Sequence, residues 1–576
     1  MGAFRECMGV VLLTALVALR SPAGETLYVD PQLDSAQSTA YDPAARSATG
    51  GKELAYKTLA GAAGAALAGQ TVLIRGGTYT EALEPKNSGA AGKPLAFRSY
   101  PNEKVVITGA TLCPAVNISN RQYLIIEGLE IRDVKRWLYA LSAHHNIIRN
   151  NTFLRAQDPG GSAKTGLFFQ EANHNQVLSN RIEDSTQDNL ALIRSDRNLV
   201  SGNRILKAAH TLWTIKGGSF NVFRDNYFHN QVQKIGEVYD CDEVGFDHQF
   251  SGASITKHNV IERNVFAYAP SSGNHAPFAG IQYAGQEGII RHNCFYDLQG
   301  PGLDLTLYGK EARYNTDNRV YHNVFACTAF AGVALAGGEK FSGNVFKNNV
   351  LAFSRFVPND TRWKWFTTTL KDQPVQLLVA RRNGFCFTGN VFFGGAGPDR
   401  RYLITVGSRD WDKNTEQHEV SWWEAHEPQL FGGNLECDPL FVNLAARDFH
   451  PAANSPLVDA GVFLTRTANA GTGTEMPVED AGYFFDGYEM AGGEGDPIQL
   501  EGQTQRARIK QVDYTKKLLL LDQPLVWTAG QNVHLSYAGK RPDIGAYELG
   551  LDKVEAPAPG TGTKSIPTRE RPQGPR

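Results

Sequence analysis

The sequence predicts an all-β solenoid, a parallel β-helix, on three observations. A short pattern recurs in ten segments between Tyr123 and Phe392, each rich in apolar and β-branched residues. Nine of them carry an asparagine in register: Asn151, Asn180, Asn203, Asn226, Asn264, Asn293, Asn323, Asn349 and Asn390. The gaps are 29, 23, 23, 38, 29, 30, 26 and 41 residues, and units of about 23 to 30 residues with two or three short strands fit one coil each. The asparagines are therefore expected to stack from coil to coil, bonding along the row and capping turn backbone that an apolar side chain would leave unpaired.

Composition agrees with a long core. The chain has 576 residues, 42% apolar and 20% charged, and a solenoid lengthens its core with every coil instead of dividing into domains. A net charge of −2 leaves no footprint for nucleic acid or an anionic membrane. Residues 1–24 read as a signal peptide: Arg5, then the apolar run Val10 to Leu19, then the small residues Ser21 to Gly24. That run is too short to span a bilayer, so the expectation is an exported monomer, secreted or periplasmic. The six remaining cysteines, Cys113, Cys241, Cys294, Cys327, Cys386 and Cys437, lack zinc spacing. Residues 553–576 turn to Pro, Gly, Thr, Lys and Arg without periodicity and read as a disordered tail.

Along the chain, LYVDP from Leu27 opens as a strand. Lys57 to Leu67 is an alanine-rich helix with an apolar stripe, suited to plugging the first coil. TVLIRGGTY from Thr71, PLAFRSYP and KVVITGA follow as early coils. These pieces resemble the amino-terminal capping region of secreted bacterial right-handed β-helix proteins, the pectate-lyase-like and chondroitinase-B-like group. CDPLFVN from Cys437, RDFHPAANSPLVDAG to Gly461 and RPDIGAYE from Arg541 resemble the closing segment of that group. The resemblance implies a right-handed parallel β-helix over 25–461, closed by 541–552. Residues 462–540 interrupt it as a small β domain, expected at the end of the solenoid. The resemblance also implies activity on a polysaccharide, although this superfold hosts many chemistries.

The site must be read from outward positions on one elongated sheet. In GLDLTLY from Gly302 the leucines point inward, leaving Asp304 outward, and in HTLWTIK, Trp213 and Ile215 inward leave His210, Thr214 and Lys216 outward. Chemistry is densest there, with His210, Lys216, Lys234, Glu237 and Asp304 as catalytic candidates. Gln282, Tyr283, Tyr308 and Arg313 are substrate contacts, and Trp422 and Trp423 are aromatic platforms for sugar rings. Cleavage of a uronic polysaccharide by β-elimination, the first reading, needs a base such as Lys216 or His210 and a neutraliser such as Lys234 or Arg313. Asp240, Asp242, Glu243 and Asp247 form an acidic run that is a candidate Ca²⁺ site. Hydrolysis, the alternative, needs two carboxyl groups, and Glu237 with Asp240 or Asp304 supplies them. A non-catalytic glycan-binding surface protein is the reading from another class.

Overall fold

Each coil lays down three short strands, and consecutive coils pair them in parallel. The computed structural model describes residues 26–551 apart from 159–165, 233, 242–253, 270–278, 307–313, 357–369, 371 and 408–415. The signal-peptide residues, the tail, Asp242, Glu243, Asp247, Tyr308 and Arg313 lie outside the described residues. Among those described, the coils build parallel sheets of 16, 13 and 12 strands. One coil contributes Val222–Arg224, Tyr227–His229 and Gly236–Tyr239, one strand to each sheet. Alternate residues point inward, so Phe223, Phe228 and Val238 join one apolar core running from Leu27 to Phe431.

The corners explain the repeat. The residue before each ladder asparagine adopts a left-handed conformation, as at Asn150, Ser179, Asp225 and Arg263 with φ between 51° and 57°. The following asparagine then closes the turn. Asn226 Oδ1 accepts from the Asn203 backbone N–H at 2.9 Å, while its Nδ2 donates to Val200 O and Asn264 Oδ1. The same pattern runs from Asn151 to Asn434. A second ladder, five residues earlier in each repeat, links Asn146, Asn175, Asn198, Asn221 and Asn259. It skips Gly288 before resuming at Asn318. A Cβ at Gly288 would overlap the Tyr283 hydroxyl, so an inward tyrosine occupies the space an asparagine fills elsewhere.

Both ends are plugged. The helix Leu59–Ala65 starts at Thr58, whose hydroxyl accepts from Gly61 N, and buries Leu59, Ala62 and Ala63 on the first coil. At the other end the helix Val420–His426 drives Trp423 into the core, where its indole N–H donates to Ile404 O at 3.2 Å. This corrects the expectation of two aromatic platforms. Trp423 is a core residue, and Trp422 stacks with the rings of His418 and His426 at centroid distances of 3.5 and 4.0 Å.

The segment after the solenoid returns along it. Residues between Thr465 and Leu535 form a six-stranded antiparallel sheet. It packs against the flank of the 16-stranded sheet, not its end. The reason lies in the repeat itself. In four successive coils the outward residue beside the second ladder is apolar: Leu199, Val222, Val260 and Ile289. These share one cluster with Met476, Phe484, Ile498 and Leu519 of the inserted sheet. A buried polar tie fixes the contact, since Arg291 bonds Glu262 of the solenoid, Asp496 of the insert and the Tyr321 hydroxyl. The closing segment covers a parallel stripe, with Phe449, Leu457 and Ile544 over Cys294, Val324, Val350 and Val391. Cys294 is thus packed outside the solenoid bore, beneath that segment. No helix among the described residues is long and apolar enough to cross a membrane.

Candidate active site

The outer face of the 12-stranded sheet carries the polar residues, and strand register sets their order. Pairing places Ala191, Thr214, Glu237, Gln282, Asp304 and Ala334 in one outward row across six consecutive strands. A neighbouring row holds Ile193, Lys216 and Tyr239. The inward alternates are Trp213, Ile215, Val238, Ile281, Leu303 and Leu305. Gly236 makes this possible at Glu237: a Cβ there would overlap the Trp213 indole one coil below. Tyr283 occupies the inward position after Gln282 and is fully buried in the core. The expectation that it contacts substrate is therefore corrected, because the two-residue strand period that turns Gln282 out turns Tyr283 in.

The centre of the row is an ionic group. Lys234 pairs with Glu237 Oε1 and also donates to Gln282 Oε1 at 3.1 Å. Glu237 is 2% exposed, and its Oε2 has no hydrogen-bond partner among the described residues. Asp304 lies two rungs further on. Burial pushes its carboxyl pKa up, against the pull of Lys234, to about 7. A carboxylic acid of this kind keeps its proton near neutral pH.

On the other side His210, already read as outward, meets Asp188, which the outward-strand reading missed. Asp188 precedes the strand Leu190–Ile193, and its Oδ1 lies 2.6 Å from His210 Nδ1. Its Oδ2 accepts from the Thr214 hydroxyl at 2.9 Å, and Thr214 in turn meets Thr211. Burial alone would raise the Asp188 pKa, but the charge and hydrogen bond of His210, with Lys216 and Thr214, lower it to about 2. Burial pulls the His210 pKa down, yet Asp188 holds it above the ordinary histidine value. The His210 side chain is about one-third exposed (34%). The available signal was register: Asp188, Thr211 and Lys234 each stand two residues ahead of their aligned strand positions. Scanning strands alone passes over Asp188 and Thr211.

Lys216 points outward as expected but is only 7% exposed, with its ammonium 5.0 Å from the Tyr239 ring centroid. Asp240 is also buried, and its Oδ1 accepts from Thr256 N. Of the four candidate calcium ligands it alone is described, and no group of three or more potential metal-ligating side chains converges among the described residues. Structure therefore brings His210, Lys216, Lys234, Glu237, Gln282 and Asp304 to one sheet face, leaving Tyr283 and Trp423 in the core.

Asp304 gives the fold a measurable pH signature. Its folded pKa lies above the usual value of about 3.9, so the folded state binds the proton more tightly than the unfolded chain. The resulting stabilisation is complete below about pH 4 and is lost as pH rises through about 7. The thermal midpoint is expected to fall between pH 5 and pH 8 by a component absent in Asp304→Asn. Equal pH slopes for the two proteins would refute the perturbed carboxyl.

Together these features define a class: a parallel β-helix with a polar acid–base row on one outer sheet. A family model agrees on that fold. Residues 114–286 match the family described as "Right handed beta helix region", and the solenoid is right-handed. The chain is 27% identical over 442 residues to the uncharacterized protein YwoF of Bacillus subtilis (strain 168), covering 71% of this chain and 89% of that one. Among solved structures, pectate lyase Pel9A aligns at 14% identity and a TM-score of 0.44, over 91% of this chain and 97% of its own. The PL6 family polysaccharide lyase Pedsa3628 from Pseudopedobacter saltans aligns at 17% identity and a TM-score of 0.34, over 62% and 94%.

Proposed function

We propose that this protein is a glycan-active enzyme that hydrolyses a polysaccharide lying across the strands of the 12-stranded sheet. The observation carrying this reading is the contrast within one row. Asp304 holds its proton to about pH 7, while Glu237, two rungs away, is paired with Lys234. Two carboxyl groups whose surroundings differ in this way are suited to separate acid and base roles. Two rungs correspond to roughly 9.5 Å, at the edge of the range of about 6.5–9.5 Å used by inverting glycosidases. Asp304 protonates the glycosidic oxygen, and Glu237 Oε2 takes a proton from the attacking water. An extended polymer meets successive rungs of such a face, so Thr214 and Gln282 serve as flanking contacts.

A second reading, β-elimination on a uronic glycan, is favoured by the Asp188–His210 pair one rung from Lys234. A carboxylate-held imidazole is a suitable base for a sugar C5 proton, and Lys234 or Lys216 balances the sugar carboxylate. Burial of Lys216 ranks it behind His210 as that base. Export remains part of the proposal and rests on the apolar run Val10 to Leu19.

The test is a panel of neutral and uronic polysaccharides, read for new reducing ends, product anomeric configuration and ultraviolet absorbance of an unsaturated sugar. Reducing ends with inverted configuration and no absorbance support hydrolysis. Unsaturated product transfers the assignment to His210. No cleavage of any member of the panel refutes both enzymatic readings and leaves the glycan-binding one.

A further inference from the structure

The inserted sheet and the solenoid enclose a polar cavity of about 450 Å³ on the flank of the 16-stranded sheet. Three stretches of chain build it. Lys347 comes from the strand Asn344–Lys347 of the 16-stranded sheet, Phe463 and Arg466 from the start of the insert, and Arg541 from the closing segment. The acid–base row lies on the 12-stranded sheet, so the two sites are on different faces.

Its charge is unbalanced. Lys347 Nζ donates to Leu464 O at 2.8 Å and lies 4.8 Å from the Tyr483 ring centroid. No carboxylate pairs with it among the described residues, although an ammonium has three protons to donate. Among the described residues the Arg466 guanidinium bonds the Asn532 side chain, and Arg541 sits over the Phe463 ring at 5.8 Å. Two acidic residues also line the cavity. Asp480 is already engaged by Arg319 at 3.0 Å, and Glu479 is exposed. The local excess is therefore positive in a protein whose net charge is −2. Burial also lowers the Lys347 pKa, with Asp480 opposing the shift.

We propose that this cavity is a second glycan-binding site, taking a carboxylate- or sulfate-bearing sugar residue between Lys347, Arg466 and Arg541. Its volume falls within the range of about 300–1,000 Å³ usual for small-ligand sites. Guanidinium groups supply the paired donors that a carboxylate or sulfate accepts, and the Phe463 edge supplies an apolar wall. Such a site would hold a strand of polymer against the flank while another stretch occupies the row. The assignment of a sugar, as opposed to a bare anion, rests on the glycan-active reading above.

Calorimetry on the full chain carrying Asp304→Asn, which prevents turnover under that reading, tests it. The probes are a galacturonate tetrasaccharide, a mannuronate tetrasaccharide, the neutral xylotetraose and inorganic phosphate. At least one uronic probe is expected to bind, and to bind at least tenfold more weakly when Lys347→Met is added. The exposed pair Arg466→Gln and Arg541→Gln should do the same and disturbs no packed side chain. In the otherwise unmodified protein, these flank substitutions should leave cleavage of a short soluble substrate unchanged. Unchanged affinity in both variants, no binding of either uronic probe, or equal binding of xylotetraose would overturn the proposal. Phosphate binding as tightly as the tetrasaccharides would overturn the sugar assignment. Because the readout is binding, its failure is distinguishable from a failure to find cleavage.

Discussion

Asp304→Asn is expected to lower turnover by at least a hundredfold while leaving the protein folded. A positioned general acid contributes about 10²–10⁴-fold, and asparagine keeps the shape of the side chain without a transferable acidic proton. Near pH 6 Asp304 is already neutral, so exchanging it for a neutral amide costs little stability. The activity profile supplies a second check. With an acid titrating near 7, wild-type activity should decline as pH rises through that value, and residual activity of the variant should lack this limb. Glu237→Gln should be at least as inactive, but less stable, because it removes a buried carboxylate that pairs with Lys234. Turnover must therefore be read well below each melting temperature. Retained activity in Asp304→Asn, together with complete loss in His210→Ala, would remove the paired-carboxyl assignment and support elimination.

The second large effect is structural. Asn226→Leu is expected to destabilise the solenoid by about 2–5 kcal/mol, read from the shift in denaturation midpoint. Leucine nearly matches asparagine in size but not in bonding. It leaves the Asn203 N–H without its acceptor in a fully buried turn, and the Val200 carbonyl and Asn264 each lose a donor. Each orphaned buried group costs about 1–3 kcal/mol. Asn226→Asp should be milder at the Asn203 contact, since an acceptor remains, yet it loses both Nδ2 bonds. A shift under about 0.5 kcal/mol for Asn226→Leu would show that the ladder only decorates the turns.

Much of this architecture was legible because the solenoid repeats one local solution. A β-strand period of two and an asparagine after each left-handed corner are local rules, so aligning the repeats placed the main ladder, the capping helix and the inward and outward faces. Outward positions for Thr214, Lys216 and Asp304 followed from the same rule. Applied once more it would have turned Tyr283 inward, and the glycine at position 288, alone among the ladder positions, marked that coil as different.

What one sequence determined by itself was the coil: its length, its corner residues and the side chains on each face. What only the tertiary structure decided was everything set between coils and between distant segments. Burial of Asp304 by neighbouring rungs raises its pKa, and Lys234 from two coils away opposes that rise. Asp188 meets His210 across 22 residues because parallel register brings the two pre-strand turns together. The return of residues 465–535 along the flank depends on an outward apolar stripe that becomes continuous only when four coils are stacked. Trp423 likewise became a plug because an open solenoid end must be covered. Local periodicity specifies which way a side chain points, whereas desolvation, charge pairing and coverage depend on what arrives from elsewhere in the chain.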